Sequence, residues 1–347
     1  MIELKEHCLR ISFPEVHADA RMSVEFQRTL RIPDDGKTYP LPAGLGAFPC
    51  QHVDDYAQTV PTNWLERGGI MLPMYQSEAM WINFSGHYIS DRETCYPFAM
   101  KIAAGKINAV TGKKHKNKLK KTPQDYVVVP EQPWLDGYCV EQGVIRQFVA
   151  MPLGDGYSAE EQITGEAEHG GLQIIVYPMK REVFEQRFPK IQRQELRDYS
   201  GSVCDAPAEG VYACHSAPDM GLAPGGRMKQ EIYDDPFDFS DWDQVNASRC
   251  FVHLANSLVW RQITGEGAPT VPPTSEEYAS SDLPWFDYYS EATAVEGSKV
   301  LNKLKSVAAL GKQAGKNPLP GNESVTADDI QLIRRGLSEA EVRDSQF

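Results

Sequence analysis

The chain has 347 residues, 41% of them hydrophobic, which suffices for one large domain or two ordinary ones and excludes wholesale disorder. Its formal net charge of −13 argues against a general nucleic-acid binder. No apolar run approaches the roughly 18 residues of a membrane-spanning helix, and the opening Met-Ile-Glu-Leu-Lys-Glu-His lacks the basic and apolar regions of a signal peptide, so no membrane partner is expected.

The first quarter reads as β structure. Residues 8–13 and 23–32 are extended runs, followed by the turn Asp34-Asp35-Gly36-Lys37. Residues 39–49 carry three prolines and two glycines and read as an irregular loop. Residues 54–64 fit a short helix or a loop. Residues 70–84 fit a strand, a helix and a second strand, and 96–110 a strand pair turned near Gly105.

Six lysines then crowd the nine residues from Lys113 to Lys121. A solvated, mobile hairpin tip explains them. A patch for nucleic acid or anionic lipid is the sharper alternative, but no aromatic is interleaved to stack a base. Residues 125–129 form a strand stopped by Pro130, and 137–140 with 144–151 a hairpin across Glu141-Gln142-Gly143. Ser158 and Glu161 have capping-box spacing for a short helix ended by Gly165. Residues 172–177 are apolar apart from Gln173, which predicts a strand buried on both faces.

Residues 181–197 show helical spacing broken by Pro189, 202–226 read as loop with a short strand at 211–214, and 227–233 as a strand. Residues 248–263 give the clearest helix pattern in the chain, its apolar stripe made by Phe251, Val252, Ala255, Leu258, Val259 and Ile263 and its stop by Gly265. Val300, Leu301, Leu304 and Val307 predict another. After a linker at 313–324, Thr326 to Asp329 would cap an amphipathic helix presenting Ile330, Ile333 and Leu337. The expected fold is α+β: a predominantly antiparallel, turn-rich sheet system over 1–290, with possible subdomains meeting near 112–122, a few packed helices, and a helical tail over 291–347. No βα alternation supports a Rossmann fold or a TIM barrel.

The chemistry concentrates between Pro123 and Met179. Glu166, Glu168 and His169, followed by Gly170-Gly171, place two carboxylates and an imidazole beside backbone free to approach a ligand. Arg146 and Gln147 interrupt one apolar strand and Gln173 another. Each requires a partner, and Glu131, Asp136, Glu166 or Glu168 would serve Arg146. Cys214, His215 and Asp219 form a second constellation, although adjacent strand residues face opposite ways. Glu168, His169 and His215 are the candidate metal ligands. Pro224-Gly225-Gly226-Arg227 lacks phosphate-loop spacing and reads as a turn into a strand. His253 reads as a core histidine, and Trp285, Phe286, Tyr288 and Tyr289 as packing.

No motif names a cofactor. The seven cysteines include no Cys-x-x-Cys pair, which predicts free thiols in a reducing cytoplasm. Two functions stay open. One is an oligomer-forming structural or assembly protein that self-associates through its tail and aromatic surface. The other is a small-molecule or metal-dependent enzyme with catalytic residues among Glu166, Glu168, His169 and Arg146.

Overall fold

Along Arg21–Thr29, Met22, Val24 and Phe26 are buried while Ser23, Glu25 and Gln27 stay half-exposed. Cys8–Ser12 and Ala79–Gly86 alternate in the same way. Strands of this period build a sheet with one dry and one wet face. The computed structural model describes residues 1–191, 219–281, 283–288, 293–321, 325, 330 and 332–335. In it the larger sheet runs Ile2–Lys5, Cys8–Ser12, Arg21–Thr29, Ala79–Gly86, Val144–Pro152, Met220–Lys229, Thr38–Tyr39. Its pairs are antiparallel except the last.

The second sheet is dry on both faces. Phe98–Ala104 and Leu172–Pro178 are buried at every position and pair antiparallel, followed by Ser248–Asn256, Ile70–Met74 and Gln51–His52. Inward side chains of both sheets meet in one apolar cluster, among them Phe26, Ile82 and Phe148 with Met100, Ile174 and Val252. Burial of each such side chain stabilises the fold by about 1.5–3 kcal/mol. The fold is α+β and antiparallel-dominated, with short helices packed around the sheets and two of them near the C-terminal end. Among the described residues, no helix is long and apolar enough to cross a membrane.

Residues 248–263 depart from expectation. They form a strand, Ser248–Asn256, then a helix of only eight residues, Ser257–Thr264. The strand lies between Leu172–Pro178 and Ile70–Met74; Cys250, Val252 and Leu254 pack into the main core while Ala255 packs with Trp64 and Trp260, so both faces are covered and the period of two is erased. Asn256 makes the switch: its side chain accepts from the Leu258 N–H at 3.1 Å and caps the helix. Gly265, at φ 77°, ends it as expected. Residues 220–226, read as loop, begin the strand Met220–Lys229, and no helix separates Ile70–Met74 from Ala79–Gly86.

The C-terminal stretch also differs in detail. The single helix expected over 300–307 is two, Lys299–Asn302 and Val307–Gln313, capped by Ser298 and Ser306. Leu332–Arg335 is a strand, not part of a helix. It pairs parallel with Trp285–Tyr288, which pairs antiparallel with Leu41–Pro42. A helix this short is marginal by itself, whereas a strand edge offers hydrogen-bond partners to the backbone groups that face it. The cap expected at 326–329 lies outside the described residues. Residues 295–319 pack on the body: Leu301 joins the main cluster, and Val307 and Leu319 pack with Ala79, Val149 and Met151.

Lys101 interrupts the apolar strand Phe98–Ala104 and is fully buried. Its ammonium donates to the carbonyls of Lys116 (2.9 Å) and Lys118 (2.6 Å) and to Asp125 (2.7 Å). These bonds use all three donors and tie the lysine-rich loop to the sheet. Leu119 is buried, while the loop's six lysines are exposed.

Candidate functional site

The helix Ala159–Thr164 opens with the expected capping box. Ser158 Oγ accepts from the Glu161 N–H (3.2 Å), and the Glu161 carboxylate accepts from the Ser158 N–H (3.1 Å). The box holds the helix start and so places Glu160, one residue earlier than its own carboxylate. Glu160 is 2% exposed. Its Oε1 accepts from the N–H groups of Glu168 (3.3 Å) and His169 (2.8 Å) and lies 2.9 Å from His169 Nδ1, and its Oε2 accepts from the Gly170 N–H (2.8 Å). From the other side, the Arg67 guanidinium donates to the carbonyls of Glu168 (2.9 Å) and His169 (3.1 Å). The loop is wound around one buried carboxylate.

Of the predicted residues, Glu168 and His169 are brought together, with Glu168 Oε1 3.4 Å from His169 Nε2, but the Glu168 side chain is 61% exposed. Glu166 is exposed just beyond the helix stop, its N–H donating to Thr164 Oγ1. Gly170 and Gly171 have φ of 58° and 51°. A Cβ on Gly171 would stand 2.4 Å from the Val252 carbonyl oxygen, and one on Gly170 2.9 Å from that of Met220. What approaches these glycines is the chain's own backbone.

Arg146 lies elsewhere. It is paired with Arg227, whereas the loop meets the larger sheet at Met220, opposite Pro152. Six residues of strand, roughly 20 Å, separate Arg146 from that end. Its guanidinium donates to the Gly225 carbonyl at 3.5 Å. Gln147 and Gln173 serve as internal anchors: Gln147 bonds Leu30 and Ile32, and Gln173 bonds Lys106 and Gly170. Cys214 and His215 lie outside the described residues. Among the described residues, no group of three or more His, Cys, Asp or Glu is placed to hold a metal ion.

Beside the loop, His253 stacks with Trp64 (4.6 Å) and with Phe251 (4.4 Å), and the Arg67 guanidinium lies over the Phe251 ring (5.3 Å). His253 Nε2 lies 3.0 Å from the Gly68 carbonyl oxygen, and burial pulls the imidazole down to about 4, so the ring is neutral and Nε2 donates. It is a core histidine, on a strand rather than a helix. Trp64 donates to Asp219, whose carboxyl burial pushes up to about 6.

A second region went unpredicted as a site. Trp81 and Trp134 stand on the wet face of the larger sheet: Trp134 pairs with Asn83, two residues from Trp81 and on the same face. They wall a cavity of about 260 Å³, lined also by the apolar Leu41, Pro42 and Phe286 and by the carboxyl groups of Asp136 and Asp287. An adjoining hollow of about 390 Å³ shares Leu41, Trp134 and Asp287 and adds Gln132, Lys229 and Glu231. Asp136 is 4% exposed. The Gln230 amide clamps it, accepting from its backbone N–H (3.0 Å) and donating to its carboxyl (2.8 Å). Burial pushes Asp136 up to about 7, against hydrogen bonds from Gln230 and Trp134 that lower it. The Trp81 indole N–H is buried without a protein acceptor among the described residues. Gly44 lies against that indole, where a Cβ would stand 3.3 Å from its ring.

A signal for this region exists in the sequence. Trp81 occupies an outward position of the alternating run Ala-Met-Trp-Ile-Asn-Phe, where a polar residue is expected. No known protein family, curated protein or solved structure matches the chain.

Proposed function

We propose that this is a ligand-binding protein whose site is the cleft between Trp81 and Trp134. Its ligand carries a ring with an apolar face and a hydrogen-bonding edge. The observation that carries the reading is the sharing of one cavity by two indoles and a buried carboxyl on the wet face of a sheet. Aromatic walls with a few convergent polar groups characterise small-molecule sites. Asp136, held near neutrality, both donates and accepts at pH 7. The Glu166–His169 loop supports a catalytic reading less well, because Glu160 already occupies the backbone donors and the imidazole Nδ1. The five described cysteines are free thiols, which supports placement in a reducing compartment.

Ligand-observed NMR of the full chain tests the proposal, using a panel of mono- and disaccharides and small aromatic acids. At least one class should give saturation transfer that Trp81→Ala and Trp134→Ala both abolish while near-UV circular dichroism shows an intact fold. Equal responses from wild type and both variants to every compound would refute it.

A further inference from the structure

We infer that the ligand is a neutral glycan chain, and that it runs from the tryptophan cleft along the wet face of the larger sheet. The inference rests on the cleft being a ligand site. Strand register maps this face. One row is Gln27 beside Trp81, the next Glu25, Asn83 and Trp134, the next Glu3, Arg10, Ser23 and Ser85, and the last Ser12 beside Arg21. From Gln27 to Arg21 is six residues of strand, roughly 20 Å, the length of several sugar rings. At the far end the face deepens into a hollow of about 800 Å³, which Pro14, Ala18 and His87 also line. Glu25 joins the two ends: it lines the hollow, and its Oε2 accepts from Gln27 (3.2 Å) and Asn83 (3.5 Å), which fixes both amides beside the indoles.

The chemistry of the face selects among occupants. Arg10 and Arg21 are interspersed with Glu3, Glu6 and Glu25, so a polyanion is disfavoured by the glutamates and a polycation by the two guanidinium groups among them. Serine, amide, guanidinium and carboxylate groups supply donors and acceptors together, which matches hydroxyls that do both. A pyranose ring presents C–H groups on its faces and hydroxyls on its rim, so it packs on an indole while its rim bonds to polar neighbours. An aromatic ligand would be satisfied by the cleft alone and would leave the polar trough unused. A peptide strand binds at a sheet edge through main-chain bonds, and this is a face.

The test is calorimetric titration of the full chain with neutral gluco-, manno- and galacto-oligosaccharides, from monosaccharide to hexasaccharide. In the series that binds, affinity should rise at least tenfold from the shortest binder to the tetrasaccharide. Arg10→Ala should cost the tetrasaccharide about tenfold, one charge-assisted hydrogen bond, and leave the monosaccharide unchanged. Trp81→Ala should abolish binding at every length, with Trp134→Ala as a second variant should the first fail to fold. Binding that is sensitive to Trp81 but independent of length and of Arg10 overturns the glycan chain and leaves the cleft standing. Binding of aromatic acids alone does the same. Absence of Trp81-sensitive binding to any compound overturns both.

Discussion

At Glu160, three backbone N–H groups and an imidazole converge on a carboxylate almost sealed from water. At Asp136, a carboxyl equally buried borders a cavity walled by two indoles. The first region is rich in the residue types of active sites, and the second is mostly apolar: two tryptophans, a phenylalanine, a leucine and a proline beside Asp136 and Asp287. The difference teaches that composition locates polar groups but saturation decides their use. A carboxylate whose lone pairs are all taken by its own loop organises backbone. A polar group set beside open volume and aromatic walls is available to a partner.

Four experiments would break or sharpen this contrast. The largest effect belongs to Glu160→Ala, which strands buried donors at residues 168–170. It should cost about 3–5 kcal/mol in urea unfolding, and a loss under about 1 kcal/mol would remove the structural reading of the loop. Trp81→Ala should remove detectable ligand binding, a loss of at least about 30-fold or roughly 2 kcal/mol from a central aromatic contact, with titration as the measure.

The third experiment uses pH. Burial raises Asp136 to about 7 and lowers His253 to about 4. The folded state holds an extra proton at Asp136 between the ordinary carboxyl range and about 7, so that contribution is present at acid pH and lost as pH rises through about 7. At His253 the unfolded state holds the extra proton, so its contribution is present above the ordinary imidazole range and lost as pH falls towards about 4. Stability profiles of Asp136→Asn and His253→Asn should therefore flatten on opposite sides, the first towards neutral pH and the second towards acid. Unchanged profiles would show these groups to be solvated. The smallest effect is at Glu166→Ala and Glu168→Ala, both exposed, each within about 0.5 kcal/mol in the same unfolding assay and without effect on binding. A large binding loss in either would invert the contrast.

Much of the larger architecture is legible where the signal is local. Glu141-Gln142-Gly143 marks its hairpin, Ser158 with Glu161 marks a helix start, and the run at 172–177, apolar apart from Gln173, marks a doubly buried strand. Residues 248–263 mislead because a strand buried on both faces runs directly into a capped helix, and together they imitate one helical stripe. The candidate site was legible as a place but not as a role. Glu168 and His169 are adjacent in sequence, yet the group that organises them is Glu160, on the preceding helix, and Arg67, about a hundred residues away. The cleft is assembled from strands far apart in the chain, so only the outward tryptophan at 81 could announce it.

The fully buried Lys101 has one more consequence. It grips main-chain carbonyls, which every residue type possesses, and Leu119 supplies the loop's apolar anchor. Among the described residues, the six surface ammonium groups lend that scaffold only the bond from Lys121 to the Phe237 carbonyl (3.3 Å). Shape and charge are thereby decoupled at this loop: its lysines are interchangeable parts on a fixed mount, and the local surface potential can be reset there without disturbing either sheet.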